Sequence, residues 1–206
     1  MGQVFCFDFQ ERLVLKLLFS FFVSLFVLSG CSTTYKIPKQ SLLDGPYPTN
    51  SSLRPSEILV QKEYDGLDKV AFAVTKTEST FKPQEQEAFL ENALGELGIG
   101  KVLTEDELVA KIIAEGLDTE VSSASDLISL KKLSETFGNF LVIEWTTDFI
   151  GYANWKTELT VIDPAVPEKI LEIRKSGVVV LSFDIEFTYP VVNRLREVLI
   201  GAPQEE

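Results

Sequence analysis

Residues that could carry out chemistry are few in this chain, because its 206 residues include no histidine and only two cysteines. Without histidine, the common Ser-His-Asp and Cys-His arrangements are excluded. A zinc, copper or haem site would also lack its usual ligands, so we expect no metal and no cofactor. Carboxylates, lysines and hydroxyls remain as the groups on which an activity would depend.

Three carboxylates have a sequence context that suggests acid–base chemistry. Glu144 stands in the apolar run 141–145, where burial would raise its pKa; the alternative is a solvated side chain, or one paired with Lys156. Asp184 and Glu186 alternate on a predicted strand, about 7 Å apart, a separation that does not exclude glycoside hydrolysis. The alternative is the polar outer face of that strand. We favour the alternatives and expect no catalytic residue.

Aromatic residues gather around one predicted hairpin, whose turn at 151–154 lies between Trp145 and Trp155. Exposed aromatic side chains are frequent at protein interfaces, whereas buried ones pack in the core. Tyr152 and Trp155 lie at the turn and are the candidates for an interaction surface; of the two tryptophans, Trp155 is the better surface candidate because it adjoins the turn. Core packing is the alternative for the tryptophans.

Cys31 is distinguished by what precedes it. The apolar run 17–28 follows Arg12 and Lys16. At about 12 residues it has the length of a signal-peptide core and is short of the roughly 20 needed to cross a bilayer. The small residues Ser29 and Gly30 fit a peptidase cleavage site before the cysteine.

The tetrapeptide Leu28-Ser29-Gly30-Cys31 resembles the lipobox of bacterial lipoproteins. The resemblance implies that the Cys31 thiol takes a diacylglycerol, that cleavage after Gly30 removes residues 1–30, and that the new amine is acylated, for example with palmitate. In enterobacterial members an Asp after the cysteine favours the inner membrane. Ser32 therefore implies the outer membrane, facing the periplasm. An uncleaved helix with an incidental cysteine is the alternative.

Charge and cysteine content agree with an envelope protein. The formal net charge is −12, and an acidic surface repels nucleic acid and anionic headgroups. We therefore expect no nucleic-acid partner, while a basic or neutral protein is easier to accommodate; solubility alone is the other role of such charge. Cys6 would leave with the signal peptide, so the mature chain would keep no free thiol.

Composition divides the mature chain into two parts. Residues 31–56 are rich in Pro, Ser and Thr without an apolar period, which predicts a lipidated cysteine and a flexible tether. Docking of Tyr35 and Tyr47 on the domain is the alternative. Residues 57–206 are long enough for one well-buried core, and we predict a single periplasmic domain.

The periodicity of this domain predicts the order β-α-β-α-α-β-β-β-β-α. A strand at 69–74 precedes a helix that begins near Pro83, and Thr104 to Glu107 form a capping box. Ser123 or Ser125 is the predicted cap of a third helix. This order indicates one mixed sheet with helices packed on it, an α/β or α+β sandwich.

The second half of the domain is predicted from alternation of apolar and polar residues. Strands are expected from 140, at 155–162, at 169–175 and at 179–187. A last helix begins at Pro190, with Leu195 in its apolar stripe and Arg196 off the stripe, at the surface.

This arrangement resembles a known envelope module over residues 68–200. The residues that carry it are the first strand, the helix that closes at Gly98, the strand and helix at 101–115, and a meander with the turn Asp163-Pro164. The module occurs in outer-membrane lipoprotein activators of penicillin-binding proteins, in the amino-terminal domain of Tol-type translocation proteins and in the curli secretion-channel lipoprotein. There it binds proteins and catalyses nothing.

Three functions follow as hypotheses. The first is a non-catalytic lipoprotein, anchored through Cys31, whose domain docks on an envelope machine for cell-wall synthesis, secretion or flagellar assembly. The second is a lipoprotein that binds a lipid or glycan in a pocket. The third is a hydrolase that uses carboxylates.

Overall fold

Strands and helices alternate in the first half of the domain, and a meander follows. The structure is a computed structural model and describes residues 35–118, 126–180 and 182–201. The lipobox Leu28-Ser29-Gly30-Cys31 and the candidate caps Ser123 and Ser125 lie outside these ranges. In chain order the elements are β1 (Ile58–Gln61), β2 (Phe72–Ser79), α1 (Pro83–Glu96), β3 (Val102–Thr104), α2 (Glu105–Ala114), α3 (Leu127–Phe137), β4 (Phe140–Gly151), β5 (Asn154–Asp163), β6 (Glu168–Val178) and α4 (Tyr189–Ile200).

The described strands form one mixed sheet in the order β1-β6-β5-β4-β2-β3. Strand β2 runs parallel to both β3 and β4, and the pairs β4–β5, β5–β6 and β1–β6 are antiparallel. The parallel pairs are joined through helices, since a chain must cross back to start a second strand in the same direction. The predicted mixed sheet with packed helices is confirmed.

Local signals place the helix starts. Helix α1 has Pro83 in its first turn, and Gly98 follows its end at φ +92°. At α2 the Glu107 amide donates to Thr104 Oγ1 over 3.2 Å, and the Thr104 amide donates to Glu107 Oε2 over 2.8 Å, so the capping box is confirmed. Helix α3 is capped by Asp126, which accepts from the amides of Ile128 and Ser129. None of the described helices is long and apolar enough to span a membrane.

The predicted strand at 179–187 is wrong. The chain here turns through the π-helical segment Asp184–Thr188 directly into α4. Alternation concealed a helical spacing, because Val179, Phe183 and Phe187 are four residues apart and all three are buried. The sheet instead gains β1, a short edge strand that the sequence pattern did not predict.

The helices cover the sheet unequally. Helices α1 and α4 pack on the first face, where Trp145 and Leu159 lie in the larger core cluster. Helices α2 and α3 cover the second face mainly over β2 and β4, around Phe72 and Val142, in a cluster that also includes Leu103 of β3 and Ile162 at the end of β5. On β5 and β6 this second face carries Lys156, Glu158, Thr160, Glu172 and Arg174, none of them buried. We call these five residues the open face.

Residues 35–53, which we call the strap, lie between α1 and α4. Leu42 and Tyr47 have almost no exposed surface and Tyr35 is buried as well, all three within the larger core cluster. Residues 35–53 are therefore docked on the domain, as the alternative prediction states, and do not form the flexible tether that was expected. Composition alone pointed to a coil because the apolar residues of the strap are spaced without a helix or strand period.

Side chains from both helices pair with the strap backbone. The amide and carbonyl of Tyr47 bond to Asn193 Oδ1 and Nδ2 over 2.7 and 2.9 Å. The Leu42 amide donates to Glu96 Oε2 on α1, and the Leu42 carbonyl accepts from Arg196 Nε on α4 over 2.5 Å. Because buried backbone groups without partners are costly, these bonds allow an irregular segment to be buried.

Arg196 corrects the expectation that it lies at the surface. Its side chain is buried, and its guanidinium bonds to the Leu42 carbonyl and to the Gly201 carbonyl. The apolar stripe of α4 predicts which residues face the sheet, but the strap covers a second side of the helix. A cation can be buried there because it meets backbone oxygens.

Asn193→Ala tests whether the strap is part of the folded core. The substitution leaves the Tyr47 amide and carbonyl buried without partners, so we expect the free energy of unfolding to fall by about 2–4 kcal/mol. Urea denaturation of the unlipidated chain measures it, with Arg194→Ala as the matched control on the same helix. Equal stabilities of the two variants would contradict a tightly bound strap.

Candidate interaction surface at the β4–β5 hairpin

Of the two residues predicted to form an interaction surface, the structure exposes one. Tyr152 is 100% exposed, whereas Trp155 is only 5% exposed. The prediction that Trp155 lies at the surface is therefore wrong: its ring packs against Phe81, Phe149 and Phe183, with centroids 5.4, 5.0 and 4.7 Å away. The side chain points to the first face of the sheet, which α4 and its preceding turn cover.

Tyr152 is held outward by an unusual turn. Gly151 and Asn154 pair across the hairpin, so Tyr152 and Ala153 are the two turn residues, with φ of +49° and +62°. Two-residue hairpin turns of this hand prefer Asn-Gly, because other side chains are strained at positive φ. A tyrosine is therefore kept at a position that a smaller residue would occupy with less strain.

Exposed apolar side chains surround Tyr152. Phe149 is half-exposed, because the strand register shifts between Phe149 and Gly151 and the side chain leaves the cover of the core. The end of β6 lies alongside, with Val178 opposite Asn154 and the Val179 amide bonded to the Ala153 carbonyl. We call the resulting patch the apolar tip; its members are Phe149, Ile150, Tyr152, Val178 and Val180.

A connected aromatic cluster supports this tip from below. Trp155 contacts Phe183, whose centroid lies 5.6 Å from that of Tyr35 at the start of the strap. Trp145 lies deeper, fully buried, and its indole Nε1 donates to Thr157 Oγ1 over 2.7 Å. For both tryptophans core packing is the observed role.

The strap begins at this same end of the domain. The Lys36 amide donates to Asp184 Oδ2 over 3.2 Å, and the Lys36 carbonyl accepts from the Tyr189 hydroxyl over 2.9 Å. Burial raises the pKa of Tyr35 to about 12, so its hydroxyl stays neutral and donates to Gln86 Oε1. These contacts place the first described residues of the chain beside the π-helical turn, next to Phe183, which contacts Trp155.

Asp184 is a buried carboxylate with an incomplete set of partners. It is 1% exposed, and its Oδ1 has no hydrogen-bond partner. Burial raises its pKa to about 6; the Lys36 amide and the charges of Lys36 and Lys82 lower it, and Glu85 raises it. The group therefore titrates close to neutral pH in the folded protein.

The other two candidate carboxylates do not join Asp184 in a cleft. Glu186 accepts from the amides of Val180 and Ser182, so it stabilises the loop before the π-helical turn. The expectation that Asp184 and Glu186 share a strand face is wrong, because these residues are helical. Glu144 is half-buried opposite Lys76 of β2, while Lys156 lies opposite Asp148 and pairs with Glu158.

Three cavities lined by described residues are small or shallow. One of about 150 Å³ lies between the strap and α4, bordered by polar residues such as Thr49, Asn193 and Glu197. Another, beside α1, is wide open to solvent, and a third, near Glu144, measures about 10 Å³. Within the described ranges no group of three or more carboxylate, cysteine or histidine side chains could hold a metal ion.

Asp184→Asn should remove a pH dependence of stability. A carboxyl whose pKa is raised by folding favours the protonated state, so the folded protein loses stability as the pH rises from near 4 through about 6. At pH 7.5 the variant should be more stable than wild type by about 1–3 kcal/mol, and near pH 4 the two should be equal. Urea midpoints of wild type and Asp184→Asn between pH 4 and pH 7.5 measure this difference in stability, with the exposed substitution Asp148→Asn as control. A pH-independent difference would contradict the assignment.

Comparison with known proteins gives distant structural likenesses. No protein-family model matches the chain, and no curated protein matches it. Among solved structures it is similar to the LpoB C-terminal domain from Salmonella enterica, with 13% identity and a TM-score of 0.35 over 54% of this chain and 85% of that one. It is also similar to the LpoB C-terminal domain from Escherichia coli, with 13% identity and a TM-score of 0.34 over 56% of this chain and 88% of that one. Lipoprotein GNA1162 from Neisseria meningitidis is similar with 16% identity and a TM-score of 0.30, over 53% of this chain and 81% of that one. Likeness at this level carries no argument about activity or partner, and the resemblances to Tol-type and curli proteins stay predictions.

Proposed function

We propose that this protein is a lipid-anchored envelope lipoprotein whose domain binds another protein and catalyses no reaction. Cys31 carries the lipid, residues 1–30 are removed, and the domain faces the periplasm from the outer membrane. The observation that carries the proposal is the lipobox Leu28-Ser29-Gly30-Cys31. The docked strap begins at Tyr35, so only three residues would separate the proposed anchor from the docked segment.

The described residues favour binding over catalysis. Asp184 is buried, Glu85 acts on it only through its charge, and Glu186 is engaged by loop amides. Hydrolysis by paired carboxylates would need both groups across an open cleft. The lipid- or glycan-binding alternative would need an enclosed cavity of several hundred Å³, and the cavities described above are too small or too open.

The open face is the surface that we assign to the protein partner. It lies on the half of the second face that α2 and α3 leave uncovered. Its charges are arranged in pairs, with Glu158 contacting both Lys156 and Arg174, and Glu172 contacting Lys169. Ordered surface charges of both signs favour specific protein recognition, since a wrong partner brings like charges together.

Cys31→Ser tests the anchor. The substitution removes the thiol that accepts the diacylglycerol, so the variant should lose fatty-acid label and accumulate as precursor that retains residues 1–30. Metabolic labelling with a fatty acid and the mass of the product measure both effects. Cys6→Ser is the matched control, because the only other cysteine of the chain should be dispensable. Label that persists in Cys31→Ser would rule out the anchor.

Crosslinking from Thr160 tests the partner surface. A photoreactive residue at Thr160, in the middle of the open face, should capture one envelope protein in cells. The same residue at Glu91, on the exposed side of α1, should not. Mass spectrometry of the adducts identifies the protein. Equal capture from both positions, or none from Thr160, would overturn the assignment of this face.

A further inference from the structure

Two stretches of sequence at the apolar tip contain no charged residue. Residues 149–155 and 176–183 contain no Asp, Glu, Lys or Arg, although 24% of the chain is charged and roughly three or four charges would be expected among these 15 residues. Ile150 is 64% exposed and Val180 72%. Contiguous exposed apolar side chains of this kind mark a surface that contacts something other than water.

The length of chain before the strap limits where this end of the domain lies. Only Ser32 to Thr34 separate Cys31 from Tyr35. Four residue steps, fully extended, cover at most about 14 Å. Because Tyr35 is buried in the core and bonded to Gln86, the lipid on Cys31 cannot move further from this end of the domain while the strap is docked.

The apolar tip lies at the end of the domain where the strap begins. Three ring contacts connect them, from Tyr35 to Phe183, from Phe183 to Trp155 and from Trp155 to Phe149, with centroids 5.6, 4.7 and 5.0 Å apart. Phe149 belongs to the tip itself. A bilayer that holds the lipid of Cys31 is therefore within reach of the exposed side chains of the tip.

We propose that the apolar tip rests in the interface of the lipid bilayer that holds the Cys31 lipid, an inference that depends on the proposed anchor. Tyrosine is favoured at the headgroup level of membranes, and apolar side chains beside it reach the start of the acyl chains. The lack of charge within the two stretches has a direct role, since a net charge of −12 is repelled by anionic headgroups, and the neighbouring Glu186 carboxylate is engaged by the Val180 and Ser182 amides. Tyr152 stands in the two-residue turn of the hairpin, and its side chain is fully exposed.

A protein could also cover apolar side chains, but the chain length favours the bilayer. A protein partner at the tip would have to fit between the domain and the membrane, within the reach of the short segment before Tyr35. The bilayer needs no further component, because the proposed anchor supplies it. The open face meanwhile stays accessible to a partner from the side.

The test uses the thiol content of the mature chain. With Cys6 removed and Cys31 converted to a thioether, Tyr152→Cys introduces a single thiol, which is labelled with an environment-sensitive fluorophore. Val166→Cys, in the exposed β5–β6 turn at the opposite end of the sheet, is the matched control. Both lipidated proteins are reconstituted into phosphatidylethanolamine–phosphatidylglycerol vesicles that contain lipids with a quencher on the acyl chain.

The label at position 152 should be quenched several-fold more than the label at position 166, and its emission should shift to shorter wavelength. Adding Ile150→Ser to the Tyr152→Cys protein should reduce that quenching. Equal quenching at both positions, in proteins that float with the vesicles, overturns the proposal. So does crosslinking from position 150 to a protein in cells when no quenching is found in vesicles.

A second protein separates this proposal from the anchor. Residues 32–206 with an amino-terminal hexahistidine tag, held on the same vesicles by nickel-chelating lipid, keep the strap and the tip without lipidation. Greater quenching at position 152 in this protein supports the tip even if the Cys31 protein fails to float. Equal quenching at 152 and 166 overturns it even if Cys31 is acylated.

Discussion

The backbone of the strap lies in an apolar groove between α1 and α4, and each amide group buried there needs a partner. Asn193, Arg196 and Glu96 provide those partners, at Tyr47 and Leu42. Removing the strap would open the groove beside Phe89 and Tyr189, whose rings contact Tyr47. The larger core, the position of α4 and the docking of the strap therefore depend on the same few hydrogen bonds.

The aromatic cluster connects the strap to the β4–β5 hairpin by ring contacts. Trp155 is buried among Phe81, Phe149 and Phe183, and such offset and edge contacts fix ring positions more closely than aliphatic packing does. Asp184 is buried at the same place, where its Oδ2 accepts from the Lys36 amide. The π-helical turn therefore joins the aromatic cluster to Asp184, a carboxylate whose pKa is raised by burial.

Much of the fold was predictable from local signals, and the errors have physical causes. The capping box at Thr104 and the alternation along β4 are short-range patterns, and both were predicted correctly. The segment 179–187 was misassigned because every second residue includes every fourth, so a strand pattern also fits a helix. Burial of Arg196 and of the strap depends on contacts about 150 residues apart, which no local pattern contains. Trp155 was expected at the surface because it adjoins a turn, although its strand parity points it inward.

Those long sequence separations also bear on how the chain is made. Leu42 and Tyr47 find their partners 154 and 146 residues later, on the last helix. The groove that holds them does not exist until α4 has been synthesised and packed, and contacts of such high sequence separation form late in folding. The strap therefore cannot dock until the last helix is available. Under the proposed function, the enzymes that process Cys31 would act on a chain whose strap has not yet docked.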